Sequence, residues 1–241
     1  MHNSSFAQSS VHIAFVDTGF CPEKIKIKNI QFDKTIDFTE SVKLNCSETK
    51  IDLKASRFHG QSVITEFLKY LSPIQSTYIL HPLIVFDAKG DQKREYWLKT
   101  IDWIKKNKID LVVTASGFMT NEKLVSELPG IWFVSSGRVT PEISKESNLF
   151  PQNLAPLDNL FLIGDYYDGK QVLYDQGLLF QDKIDYYFPS GTKGFVGTSR
   201  GVAEASARAI KICGISKMRE CLKKHSKTYN DNLSMRIIQT F

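Results

Sequence analysis

YWLKTIDWIKKNKIDLVVTASG, Tyr96 to Gly117, carries both halves of a pattern that recurs along the chain. In the first half Trp97, Leu98, Ile101 and Ile104 fall at three- and four-residue steps, the spacing of one apolar helix face. In the second half the period is lost. Leu111, Val112 and Val113 run on without a polar partner, as in a strand covered on both faces, and the run ends in Ala115-Ser116-Gly117. Upstream, VHIAFVDTG (Val11 to Gly19) reads as a buried strand ending in a turn. SVITEFLKYL (Ser62 to Leu71) has helical spacing through Val63, Ile64, Phe67, Leu68 and Leu71, and YILHPLIVF (Tyr78 to Phe86) is a second strand. Downstream, GIWFVSSG, LDNLFLIGDYYDG and KQVLYDQG read as strands, and RGVAEASARAIKIC as a helix of small residues. Strand and helix in alternation predict an α/β fold of three layers, a mostly parallel central sheet with helices on both faces.

The 241 residues are 42% hydrophobic and 24% charged, an ordinary balance for a globular chain. No Pro/Gly/Ser-rich linker, repeat or low-complexity segment divides them, so a single domain over 1–241 is expected, with 1–10 a flexible terminus. The net charge of +5 is spread out, without the concentrated patch that nucleic acid requires. No apolar run approaches the roughly 20 residues needed to span a bilayer, so no membrane partner is expected. The polar start, MHNSSFAQSS, lacks the charged and apolar regions of a signal peptide. Cys21, Cys46, Cys213 and Cys221 have no CxxC spacing and no close histidine, which argues against zinc. Free thiols and a cytoplasmic setting are therefore expected, a processed secreted form being the alternative. No cofactor or metal is expected.

Polar residues and glycines gather just after the strands: Asp17-Thr18-Gly19, Ala115-Ser116-Gly117 and Ser135-Ser136-Gly137-Arg138. In parallel α/β sheets ligands bind beyond the carboxyl ends of the strands, so these segments are expected along one edge. Asp17 ends a strand, His59 begins a helix in RFHGQSVI, and Ser199 begins another in GTSRG. A serine hydroxyl needs a base, histidine can be that base near neutral pH, and a carboxylate fixes the histidine tautomer. A helix N-terminus adds unpaired N–H groups that favour an anion. Singly, each motif also reads as structure: Ser199 as a helix cap, His59-Gly60 as a helix start, Asp17-Thr18-Gly19 as a turn.

Taken in order, VDTGF, FHGQS and VGTSRGVA resemble the three motifs of the subtilisin-like serine proteases, the subtilases. Further segments are similar in the same order: WLKTIDWIKKNKIDLVVTASG, GIWFVSSGR, FPQNLAPLDNLFLIGDYYDG and DYYFPSG. The likeness covers about Val11 to Ile212 and leaves 222–241 divergent. The resemblance implies a serine endopeptidase with Asp17, His59 and Ser199 as the triad. Peptide or protein substrate would bind as an added strand against Ala115, Ser116 and Gly117, with Ser135, Ser136 and Gly137 opposite. Arg138 stands where the family has its oxyanion asparagine, so Arg138 and the Ser199 N–H are the expected oxyanion donors. That replacement also motivates the alternative, an impaired subtilase fold that binds peptide or protein without turnover. Gln61 and Ser62 follow the histidine, and Arg200 follows the serine, where the family has other residues. GTSRG also matches G-x-S-x-G, but the α/β-hydrolase order needs acid and histidine downstream, where only His225 stands.

Overall fold

Strand β1 (Val11–Asp17) sends Ile13 and Phe15 to one face of the sheet and Ala14 and Val16 to the other, as successive strand residues must. All four are buried, so β1 needs cover on both faces. The structure is a computed structural model and describes residues 10–42, 46, 56–71, 77–166, 177–191, 193–230 and 235–238. Around β1 lie β2 (Ile30–Phe32), β3 (Ile36–Asp37), β4 (Tyr78–Ile84), β5 (Leu111–Thr114), β7 (Ile131–Ser135), β9 (Leu160–Tyr166) and β10 (Tyr186–Pro189). The order is β10-β9-β7-β5-β1-β4-β2, with β3 also on β4, and every pairing is parallel.

Helix α1 (His59–Tyr70) follows β2 and β3 and leads into β4 on one side of β1, and α2 (Arg94–Lys106) returns the chain to β5 on the other. In parallel sheets such a reversal is where ligands bind, beyond the carboxyl ends of the strands. Val63, Ile64 and Phe67 of α1 pack with Ile13, Phe15, Phe133 and Phe161 on one face. Trp97, Ile101 and Ile104 of α2 pack with Ala14, Val16 and Trp132 on the opposite face. Helix α3 (Thr198–Cys213) lies on the α1 face, where Ala203, Ala205, Ala207 and Ala209 are all fully buried. The expected three layers are present. Each fully buried large apolar side chain contributes about 1.5–3 kcal/mol, so the doubly covered strands hold their carboxyl ends firmly.

Pro82 lacks the N–H a ladder needs. The outer ladder on β4 breaks beside it: β2 pairs with Tyr78 to Leu80, and β3 resumes at Leu83. Nearby, His12 Nδ1 lies 3.0 Å from His81 Nε2, and His81 Nδ1 lies 3.1 Å from Asp33.

The remaining elements were not legible in advance. A two-stranded pair joins β6 (Phe118–Met119) to β8 (Leu149–Phe150). Helix α4 (Met218–His225) leads into an antiparallel pair, β11 (Ser226–Asn230) and β12 (Met235–Ile238). Leu222 of α4 and Ile238 of β12 are buried in the main core, so these two elements pack on the same body. The strand expected at KQVLYDQG and the flexible start lie outside the described residues, apart from Ser10 and Gly177.

The free-thiol expectation is overturned. Cys21 pairs with Cys46, 25 residues away, and Cys213 with Cys221, and no free cysteine remains. Spacing along the chain could not reveal pairs that folding brings to Cα separations of 5.6 and 5.7 Å. Among the described residues, no helix is long and apolar enough to cross a membrane.

Candidate active site

Asp17 is the last residue of β1, buried to 2% exposure. Its carboxylate takes the Thr18 N–H at 2.7 Å on Oδ1, and the His59 ring meets both oxygens, Nδ1 to Oδ1 at 2.8 Å and to Oδ2 at 3.0 Å. Several backbone bonds fix this meeting. Gly19 N–H donates to Arg57 O, Gln61 N–H donates to Gly19 O, and Gly60 N–H donates to the Thr18 hydroxyl. Gln61 also accepts the Cys21 N–H on its side-chain oxygen at 2.8 Å. Gly60 is required by close approach: a Cβ there would stand 2.5 Å from the Phe20 ring and 3.0 Å from Asp17 Cβ. The His-Gly pair thus lets α1 begin directly against the end of β1.

The His59 side chain is 31% exposed, and the Phe195 ring meets it edge-on at 5.5 Å. Burial pulls the imidazole pKa down, but the charge of Asp17 and the hydrogen bond to it outweigh burial, and the pKa stands above the ordinary 6.5. Arg138 is not among the groups that shift it. A base must be neutral to accept a proton. Acylation of Ser199 by an active-site reagent should therefore rise with pH, with its midpoint above 6.5. A pH profile of labelling rate checks this; a midpoint below 6.5 would mean that the Asp17–His59 pair does not govern the reaction.

Ser199 lies in the first turn of α3, half-buried. It is not the helix cap. Gly197 takes that position with φ +84°, a conformation that disfavours side chains, and no side chain caps the helix. The plain capping explanation for Ser199 therefore fails. As the second helical residue, Ser199 has an N–H without an intrahelical acceptor. Among the described residues, no hydrogen bond joins the Ser199 hydroxyl to the His59 ring. What brings their elements together is the packing of α1 on α3 and the Phe195–His59 contact four residues before Ser199.

The other expected residues line the same carboxyl edge, yet much of their polar capacity is already used. Gln152 donates from Nε2 to Ser116 O at 3.2 Å and to Ser135 O at 3.0 Å, bridging the ends of β5 and β7. Gln92 donates to Gly117 O at 2.9 Å. The Ser116 hydroxyl meets Thr114 Oγ1, and Ser136 N–H donates to Ile163 O. Gly137 has φ +77° and accepts the Leu179 N–H. Ala115 is half-buried beside them.

Arg138, expected at the oxyanion, gives its guanidinium to Asp165 at 2.5 Å. Asp165 lies inside the wholly buried strand β9, has no exposed side-chain surface, and also takes the Ser190 hydroxyl. Ser190 O in turn accepts the Gly197 N–H at 2.9 Å, just before the first turn of α3. A carboxylate in a doubly buried strand needs a counter-ion, so the aspartate in LFLIGDY signalled that some cation would be drawn to it, and the fold brings Arg138. The roles of Gln92, Gln152 and Ser190 had no such signal.

Among the described residues, one group has metal-ligand proximity, Cys21, Glu23 and Cys46, but its two sulfurs form a disulfide. Compared with known proteins, the chain matches no family model, and none of the curated proteins matches it.

Proposed function

We propose that this chain is a serine endopeptidase acting through Asp17, His59 and Ser199, in the manner of the subtilases. The observation that carries the reading is the buried Asp17 carboxylate on His59 Nδ1 at 2.8 Å, at the carboxyl edge of a parallel sheet covered by a helix that carries Ser199 in its first turn. With Nδ1–H donated to Asp17, the ring presents Nε2 as a base. His59 takes the Ser199 proton as the serine oxygen attacks the scissile carbonyl. The resulting oxyanion is held by the Ser199 N–H. His59 then gives its proton to the leaving amine, and water repeats the sequence to free the acyl group.

An extended peptide would lie along Ala115 to Gly117 as an added strand, displacing the Gln92 amide from Gly117 O. Three of the large apolar side chains most exposed among the described residues fall beside site segments: Met119, Val139 and Val196. They favour substrates with apolar side chains flanking the scissile bond. The two disulfides support an oxidising compartment. A second reading, peptide binding without turnover, is favoured by the commitment of Arg138 to Asp165 and by the Ser199 hydroxyl's lack of a bond to His59.

A fluorophosphonate separates the two readings. Wild-type protein is expected to be labelled at Ser199 and to cleave an apolar peptide, and Ser199→Ala to lose both. A folded wild-type sample that binds peptide but takes no label favours the binding reading.

A further inference from the structure

We propose that Arg200 is a positioning residue for Ser199: it clamps the first turn of α3 to α1 and to the end of β10, and so sets where the serine hydroxyl stands relative to His59. This rests on the acyl-transfer reading above.

Arg200 adjoins Ser199, and its side chain is 15% exposed. Its Nε meets Glu66 Oε1 at 3.0 Å, and Nη2 reaches both Tyr70 Oη at 2.5 Å and Glu204 Oε2 at 2.9 Å. Nη1 donates to Pro189 O at 2.5 Å, where β10 ends. One planar cation thus joins three elements, with all three of its nitrogens engaged. Glu66 and Glu204 are both buried, at 5% side-chain exposure. Glu204 is held a second time by Arg208, whose guanidinium lies 4.8 Å from the Tyr70 ring centre.

The helical period shows what the clamp controls. His59, Glu66 and Tyr70 are spaced i, i+7 and i+11, so they share one face of α1. Arg200, Glu204 and Arg208 repeat at four-residue steps along α3. Much of the rest of the buried α3 surface is alanine, which offers little relief to stop one helix sliding on the other. A slip of one turn would be about 5.4 Å, whereas proton transfer needs the hydroxyl within roughly 2.6–3.2 Å of the base. Buried ion networks are seldom better than apolar packing for stability, and their best-attested use is to fix register.

The test compares Arg200→Gln, Arg200→Lys, the double variant Glu66→Gln with Arg200→Gln, and Arg208→Gln. Fluorophosphonate labelling rate per folded molecule, its pH midpoint and the melting temperature are measured for each. Glu66 keeps Lys69 as a partner without Arg200, and the double variant removes this buried carboxylate altogether if Arg200→Gln alone folds poorly. Arg200→Gln and the double variant are expected to label about 100-fold more slowly, since small misplacements cost that much. Their pH midpoint should stay unchanged, because Asp17 and His59 are untouched. Arg200→Lys should recover part of the rate. Arg208→Gln should lower the melting temperature and slow labelling less than Arg200→Gln, because it shares Glu204 and Tyr70 with Arg200 but touches neither Glu66 nor Pro189. Equal labelling across all variants would overturn the clamp alone, as would a loss in Arg208→Gln matching that in Arg200→Gln. No labelling of folded wild type would overturn the acyl-transfer reading and the clamp with it.

Discussion

Asp17→Asn is expected to slow acylation of Ser199 by about 10⁴-fold, the size of effect seen when the triad carboxylate of a serine protease becomes an amide. Oδ1 of Asp17 takes the Thr18 N–H at 2.7 Å, so an asparagine would keep its oxygen there. Its NH₂ would then occupy the Oδ2 position, 3.0 Å from His59 Nδ1. Oδ1 would still stand 2.8 Å from Nδ1, but the new donor beside it stabilises the Nε2–H tautomer, in which the ring turns an N–H towards the serine instead of a lone pair. The substitution also removes both influences that raise the His59 pKa and leaves burial, which lowers it. The residual activity should therefore have its pH midpoint moved downward. Labelling rates of folded protein from pH 5 to 9 measure both effects. A rate within about 10-fold of wild type would show that Asp17 does not orient the base.

Reduction of both disulfides is expected to remove most of the folding stability. On the loop-entropy relation, the Cys21–Cys46 bridge closes 25 residues and contributes about 3.5 kcal/mol, and the Cys213–Cys221 bridge closes 8 and contributes about 2.5 kcal/mol. Together they approach the total stability of many domains, about 5–15 kcal/mol. Urea unfolding with and without reductant measures the loss, with thiol titration confirming that both bridges are open. A change below about 1 kcal/mol would mean the folded body does not depend on them. The first bridge bears on the site as well, because Cys21 follows Phe20, whose ring rests on Gly60, and its N–H is held by Gln61. Cys46→Ser is therefore expected to loosen the seat of His59 and slow labelling even where the protein stays folded.

The layers were readable because they depend on period. Ile13 to Val16 and Leu111 to Val113 are apolar without interruption, and Trp97, Ile101 and Ile104 fall on one helical face, so the burial pattern was already written in the order of residues. The Asp17–His59 meeting was anticipated from motif order, and the structure supplies its distance. The short pairs β6–β8 and β11–β12 were missed because two to five residues carry too little periodicity to separate a strand from a loop.

Sequence alone determined the alternation of strand and helix, the gathering of polar turns at strand ends, and the candidate trio, since each follows from local pattern and residue chemistry. Tertiary structure decided what depends on distance between remote residues. It paired the cysteines, turned Arg138 to Asp165, used Gln152 to bridge two strand ends, and set Arg200 between α1, α3 and β10. A buried charge takes whichever counter-charge the fold brings within a few ångströms, and no local period encodes that choice.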